Sequence, residues 1–198
     1  MTFDKFYPIV DSADWVLRLV GVGAKLVQLR MKDLGAFEIA RDIERAKNMC
    51  ESAGAQLVVN DFWREAIEAG CDYVHLGQGD LDTADVKAIR RAGMKLGIST
   101  HDHAELDRAL SYDPDYVALG PIYPTLLKQM PWAPQGLERI GEWKTLVGAR
   151  PLVAIGGLTL ERAILCLKAG ADSAAVVTDV VRAEDPEARA KEWIAATR

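Results

Sequence analysis

Apolar residues fall into eight short runs spread almost evenly along the chain: Phe6–Val10, Leu26–Arg30, Gln56–Asn60, Tyr73–Leu76, Lys95–Ser99, Tyr116–Gly120, Pro151–Gly156 and Ser173–Thr178. Each ends in polar residues or glycine, and the stretches between them carry apolar residues at helical spacing. Phe37, Ala40, Ile43 and Ala46 mark one such face; Ala84, Val86, Ile89 and Ala92 a second; Leu106, Ala109 and Leu110 a third. Strand-sized runs alternating with helices predict parallel strands joined by crossovers, and eight such units close into a (β/α)8 barrel of the TIM type.

Punctuation between the runs supports this reading. Ala69-Gly70-Cys71-Asp72 and Ala169-Gly170-Ala171-Asp172 both read as helix end, glycine stop and strand entry, and Gly23 and Gly54 sit in similar contexts. Glycine just past a helix adopts the left-handed conformation that caps it. Asp82, Thr83 and Asp102 are candidate N-caps, and Glu105 suits a first helical turn. Trp15, Phe37, Trp143 and Trp193 are expected to pack helices against the barrel. No low-complexity linker interrupts residues 1–198, so a single barrel domain is expected.

The strand ends of a closed barrel form one rim, where the chemistry of such folds resides. Here that rim collects Gln28, Arg30 and Lys32; Asn60 and Asp61; Gln78 and Asp80; Ser99 and His101; Thr125 and Lys128; Gly156 and Gly157; and Thr178. The Asn60-Asp61 pair reads either as a helix N-cap or as oxygen ligands for a hard cation. Asp80, past the next strand, favours the second reading, because Mg²⁺ takes one or two carboxylates plus water and phosphate oxygens. Arg30 and Lys32 are either a phosphate clamp or a solvated basic turn. Gly156-Gly157 and Val177-Thr178 stand where barrels hold phosphate on backbone groups. The stretch Leu119–Ile140 is long and rich in Pro and Gly, as in a flap over an anionic ligand. His75 reads as a structural strand residue, His101 as a rim or helix-start residue, and His103 as solvent-exposed.

Composition narrows the functional class. The chain has 198 residues, 49% hydrophobic and 27% charged, with a net charge of −5. These values fit a soluble enzyme, and no basic stripe points to nucleic acid. No apolar run is long enough to span a membrane and no apolar signal core opens the chain. Cys50, Cys71 and Cys166 form neither a metal motif nor a disulfide framework, which fits reduced thiols in the cytoplasm.

Six segments in order resemble the thiamine-phosphate synthase family: Gln28-Leu29-Arg30-Met31-Lys32; Asn60-Asp61; His75-Leu76-Gly77-Gln78 with Asp80; Gly97-Ile98-Ser99; Gly120-Pro121-Ile122-Tyr123-Pro124-Thr125 with Lys128; and Ile155-Gly156-Gly157. The resemblance spans nearly the whole chain. It implies a transferase of thiamine biosynthesis that joins 4-amino-2-methyl-5-(diphosphooxymethyl)pyrimidine to a thiazole phosphate and releases diphosphate. It further implies Mg²⁺ on Asp61 and Asp80, and pyrimidine-diphosphate contacts from Gln28, Arg30, Lys32, Asn60 and Lys128. Ser99 would meet the pyrimidine and Thr125 the thiazole phosphate, with Gly157, Val177 and Thr178 holding that phosphate mainly through backbone. Arg30, Lys32, Lys128 and Ser99 are the expected catalytic residues. The implied partners are these two small molecules, with no nucleic acid or membrane, and a homo-oligomer is left open.

One residue departs from the family pattern: Leu127 stands where a threonine is usual. Two rival readings stay open: a thiazole tautomerase-like isomerase with His101 as proton carrier, and a non-catalytic phosphate-binding homologue, which Leu127 keeps open. The isomerase loop usually carries a histidine where Gly120-Pro121 stands here.

Overall fold

The computed structural model describes residues 3–125 and 132–198. Eight parallel strands close a barrel in sequence order, β1 to β8. They are β1 Phe6–Val10, β2 Leu26–Leu29, β3 Gln56–Asn60, β4 Tyr73–Leu76, β5 Lys95–Thr100, β6 Tyr116–Leu119, β7 Leu152–Ile155 and β8 Ser173–Val176. The seam closes where Tyr7 of β1 pairs with Ala175 of β8. Helices α1 Ala13–Gly21, α2 Ala36–Ala53, α3 Trp63–Glu68, α4 Val86–Arg91, α5 His103–Ser111, α6 Gly136–Val147 and α7 Leu160–Lys168 wrap the outside. The short α8 Thr178–Val181 and the terminal α9 Pro186–Thr197 complete the ring, and a 3₁₀ turn at Asp80–Asp82 follows β4.

Two apolar cores hold this arrangement. The larger lies between strands and helices and includes Val27, Val59, Leu76, Leu96 and Trp143. The smaller fills the barrel interior and contains Tyr7, Val58, Tyr73, Tyr116 and Val153. Alternate strand residues point to opposite faces, so every strand but β5 supplies both cores, β5 giving only Leu96 and Ile98 to the larger one.

The repeated glycine–aspartate punctuation has a physical purpose. Gly54 takes φ 59° and closes α2, the left-handed conformation only glycine adopts without strain. Past the corresponding stops, Asp172 accepts hydrogen bonds from Leu152 N and Lys144 Nζ, each at 2.7 Å. Asp115 does the same with Leu96 N at 2.8 Å. These carboxylates fasten the lower end of one strand to its neighbour.

Several boundaries and faces differ from expectation. Strand β2 stops at Leu29, β6 at Leu119, β7 at Ile155 and β8 at Val176, whereas β5 runs on to Thr100. Arg30, Gly120 and Gly156 therefore belong to the loops, and Thr178 begins α8. The buried face of α2 is Ile39, Ile43, Ala46 and Cys50, while Phe37 is 79% exposed and Ala40 lies at the surface. Phe37 precedes the buried Ile39 by two residues, about 200° around the helix, so it points away from the barrel wall. Trp143 and Trp193 are fully buried, and Trp15 packs partly against the larger core. Ala92 is exposed just past α4. Asp102 caps α5 by accepting from Glu105 N at 2.9 Å. The cap of α4, however, is Asp85, which accepts from Ala88 N at 2.9 Å. Asp82 instead lies in the 3₁₀ turn and pairs with Arg108 at 2.6 Å.

Candidate active site

The upper strand ends surround a cavity of about 430 Å³, within the usual range for small-ligand sites. Arg30, Lys32, Asn60, Asp61, Asp80, Ser99, Thr125, Gly157, Val177 and Thr178 all border it. Beneath it, inside the barrel, lies a smaller cavity of about 90 Å³ bordered by Gln28, Arg30, Asn60, His75 and Ser99. Gln28 thus faces the floor rather than the mouth. Lys128 and Leu127 lie outside the described residues.

On the β3–β4 side the site is built from charged side chains. Asp61 follows β3 with a positive φ of 65°, a conformation Asp adopts more readily than most residues. The N-cap of α3 is Phe62, with no side-chain cap, so the Asp61 carboxylate is not occupied in capping. It faces Asp80, whose Oδ2 accepts from Gly77 N at 2.9 Å. Burial and the neighbouring Asp80 charge push the Asp61 carboxyl up to about 6, and Arg30 opposes the shift. Two carboxylates facing each other in a half-buried site repel. A hard divalent cation relieves that repulsion, so the oxygen donor set fits one. Among the described residues no group of three or more His, Cys, Asp or Glu side chains gathers in this way, and a Mg²⁺ that shares its ligands with phosphate needs no third.

The β6–β8 side is built from backbone. Gly157 takes φ 65°, and a Cβ there would stand 2.3 Å from Pro124 O. Only glycine lets these two loops approach. Its carbonyl accepts from Arg162 Nη1 at 2.6 Å, and the Arg162 guanidinium lies over the Tyr123 ring. The long β6–α6 segment is tied at its base, where Gln135 N donates to Pro121 O at 2.8 Å and Gly136 N to Ile122 O at 3.1 Å. At its described far end, Trp132 stacks on His101 with ring centroids 4.0 Å apart. His101 Nδ1 in turn lies 2.6 Å from Glu105 Oε2. His103, as expected, is exposed, and it pairs with Glu142 at 2.6 Å.

Sequence reasoning missed one group. His75 is buried, but its ring faces the barrel interior, with Nε2 2.8 Å from Ser99 Oγ and Nδ1 2.7 Å from the Tyr116 hydroxyl. Tyr116 and Tyr7 lie inside apolar runs, where a tyrosine reads as core. The available signal was strand alternation, which places Tyr7 and His75 on the inward face.

A family model described as thiamine monophosphate synthase matches residues 6–180. The chain is 62% identical over 197 residues to thiamine-phosphate synthase of Rhizobium etli, covering 100% of this chain and 97% of that one. It is 53% identical over 187 residues to thiamine-phosphate synthase of Neisseria meningitidis serogroup A, covering 94% and 91%. Among solved structures, thiamine phosphate pyrophosphorylase from Pyrococcus furiosus superposes with a TM-score of 0.87 at 27% identity, covering 98% of this chain and 95% of the other. These likenesses favour the synthase reading over the isomerase and the non-catalytic homologue.

Proposed function

The chain belongs to the thiamine monophosphate synthase family of transferases, and from that premise we propose how its rim carries out the reaction. The observation that carries the proposal is the meeting, around one cavity, of a carboxylate pair with cations on one side and a glycine-opened backbone on the other. The substrates are an aminopyrimidine bearing a diphosphate and a thiazole bearing a phosphate.

The diphosphate occupies the β2–β4 side, where Arg30 and Lys32 balance its charge as the carbon–oxygen bond breaks, a task the family resemblance extends to Lys128. Asp61 and Asp80 hold Mg²⁺, which supplies further neutralisation of the leaving group. Gln28, Asn60 and Ser99 orient the pyrimidine. The electron-rich ring supports the cationic methylene left behind, and the thiazole nitrogen forms the new bond to that carbon. Thr125 and the backbone at Gly157, Val177 and Thr178 hold the thiazole phosphate. No proton need be removed by a strong base, so positioning and exclusion of water carry much of the rate. Among the described residues no helix is long and apolar enough to cross a membrane; the reading places the enzyme in the cytoplasm.

The test is to mix the protein with both substrates and Mg²⁺ and follow products by mass spectrometry. Thiamine phosphate and diphosphate in equal amounts are expected. Isomerised thiazole phosphate without diphosphate, or ligand-dependent thermal stabilisation without product, overturns the reading.

A further inference from the structure

A line of hydrogen bonds crosses the barrel interior and joins five strands whose residues are far apart in sequence. Gln28 Nε2 donates to the Tyr7 hydroxyl at 2.9 Å. That hydroxyl lies 3.0 Å from the Tyr116 hydroxyl, which lies 2.7 Å from His75 Nδ1. His75 Nε2 then reaches Ser99 Oγ at 2.8 Å. Four of the five residues are at most 6% exposed, and the His75–Ser99 end of the line borders both the larger and the smaller cavity.

Each interior member carries one proton to donate along the line, so all of its hydrogens must run in the same direction. Gln28 Nε2 sets that direction, because an amide nitrogen only donates and the reverse order would leave the Tyr7 hydroxyl proton without a partner on the line. Tyr7 therefore accepts from Gln28 and donates to Tyr116, and Tyr116 donates to His75 Nδ1. The proton of the neutral imidazole must then sit on Nε2 and point at Ser99 Oγ. The serine oxygen accepts, and its own hydrogen is left for the cavity. We propose that Tyr7, Tyr116 and His75 are positioning residues that fix Ser99 as a hydrogen-bond donor toward an acceptor atom of the bound pyrimidine.

Neutrality of the line is consistent with its burial. His75 is driven down to about 3 by burial and by Arg30, and burial raises both tyrosines well above their ordinary range. Packing fixes the geometry too. Tyr116 stacks on the His75 ring at 5.4 Å and 19°. Gly97 leaves the space this needs, since a Cβ there would lie 2.1 Å from the Tyr116 ring. A buried polar line whose interior members are all hydrogen-bonded to one another favours one arrangement. The inference rests on the functional reading only for the identity of the ligand.

The test combines ¹⁵N NMR of the histidine rings with kinetics. The chain has three histidines, and a His75→Gln variant assigns the resonance. Wild-type protein without substrate should show His75 protonated on Nε2 alone. Tyr116→Phe deletes the donor to Nδ1, so His75 should shift toward the Nδ1-protonated form. The same variant should raise KM for the pyrimidine diphosphate, lowering kcat/KM roughly tenfold or more, with KM for thiazole phosphate unchanged. Wild-type His75 protonated on Nδ1 would show that the line runs the other way and would overturn the proposal without needing any variant. An unchanged tautomer in Tyr116→Phe, or equal loss toward both substrates, would also overturn it. Absence of thiamine phosphate from wild type would sink the functional reading instead, leaving the NMR result to stand by itself.

Discussion

In the proposed reading the two sides of the rim each hold a phosphate group, and they are built by opposite means. On the β3–β4 side Asp61 and Asp80 face each other across a short gap, with Arg30 close enough to affect Asp61. That side gains strength from charge, and it carries a repulsion until a cation and an anion arrive. On the β6–β8 side Gly156 and Gly157 take positive φ and bring backbone close to the cavity. That side carries no such repulsion, yet at these two glycines it leaves no room for a side chain. The difference teaches where each side is fragile: one to loss of charge, the other to a single added carbon.

The largest expected effect tests the charged side. Asp61→Asn keeps a residue that accepts the left-handed backbone, so the barrel should stay folded by circular dichroism. Turnover should fall by about 10²–10³-fold, as when a group that stabilises developing charge is removed. Asp80→Asn should behave alike. Near-normal rates at saturating Mg²⁺ would remove that residue from the metal site.

Gly157→Ala should strike the other side. The added methyl meets Pro124 O and is held at an unfavourable φ, a strain of about 1–2 kcal/mol. Calorimetric titration should show weakened thiazole-phosphate binding with diphosphate binding kept. Parallel loss of both would mean that the sides are not independent.

A smaller effect concerns acid stability. His75 has a folded-state value of about 3, below its ordinary 6.5, so the unfolded chain binds the extra proton between those values. Its contribution is present in full above pH 6.5 and is lost as pH falls toward 3. Asp61, raised to about 6 from 3.8, acts in the opposite sense over its own window. Urea midpoints of wild type and His75→Gln, both without metal, isolate the histidine. The wild-type advantage should be larger at about pH 7.5 than at about pH 5. An advantage independent of pH would show that His75 is not buried as a neutral ring.

The smallest effect is expected from Leu127→Thr, which restores a hydroxyl that the family pattern carries. Activity should be kept and thiazole-phosphate affinity raised by no more than about tenfold. Weaker binding with slower turnover would indicate a loop rebuilt around leucine.

Much of this molecule could be read along the chain because its signals are local. A strand run such as Gln56–Asn60 carries its own alternation and stop, and Asp61 follows it in the next position. Helix faces were less legible: Phe37 and Ala40 share helical spacing with Ile43, but the buried stripe of α2 is Ile39, Ile43, Ala46 and Cys50, and Phe37 falls on the far side from Ile39. The α4 cap was misplaced because Asp82 and Thr83 belong to a 3₁₀ turn that runs before Asp85. Of the interior line from Gln28 to Ser99, strand alternation shows only that its members face inward, not that they meet. Its members come from strands separated by up to 109 residues, and only closure of the barrel brings them together. Gly97 likewise looks like an unremarkable strand glycine until the Tyr116 ring is seen lying against it.

The division of the rim is tested most directly by ³¹P NMR with Mn²⁺ in place of Mg²⁺. Wild-type protein would be titrated with inorganic diphosphate and thiazole phosphate together, and each resonance followed as the paramagnetic ion is added. The account predicts strong broadening of the diphosphate signal, with much weaker broadening of the thiazole phosphate, and loss of the contrast in Asp61→Asn. Equal broadening of both signals, or a stronger effect on the thiazole phosphate, would contradict it.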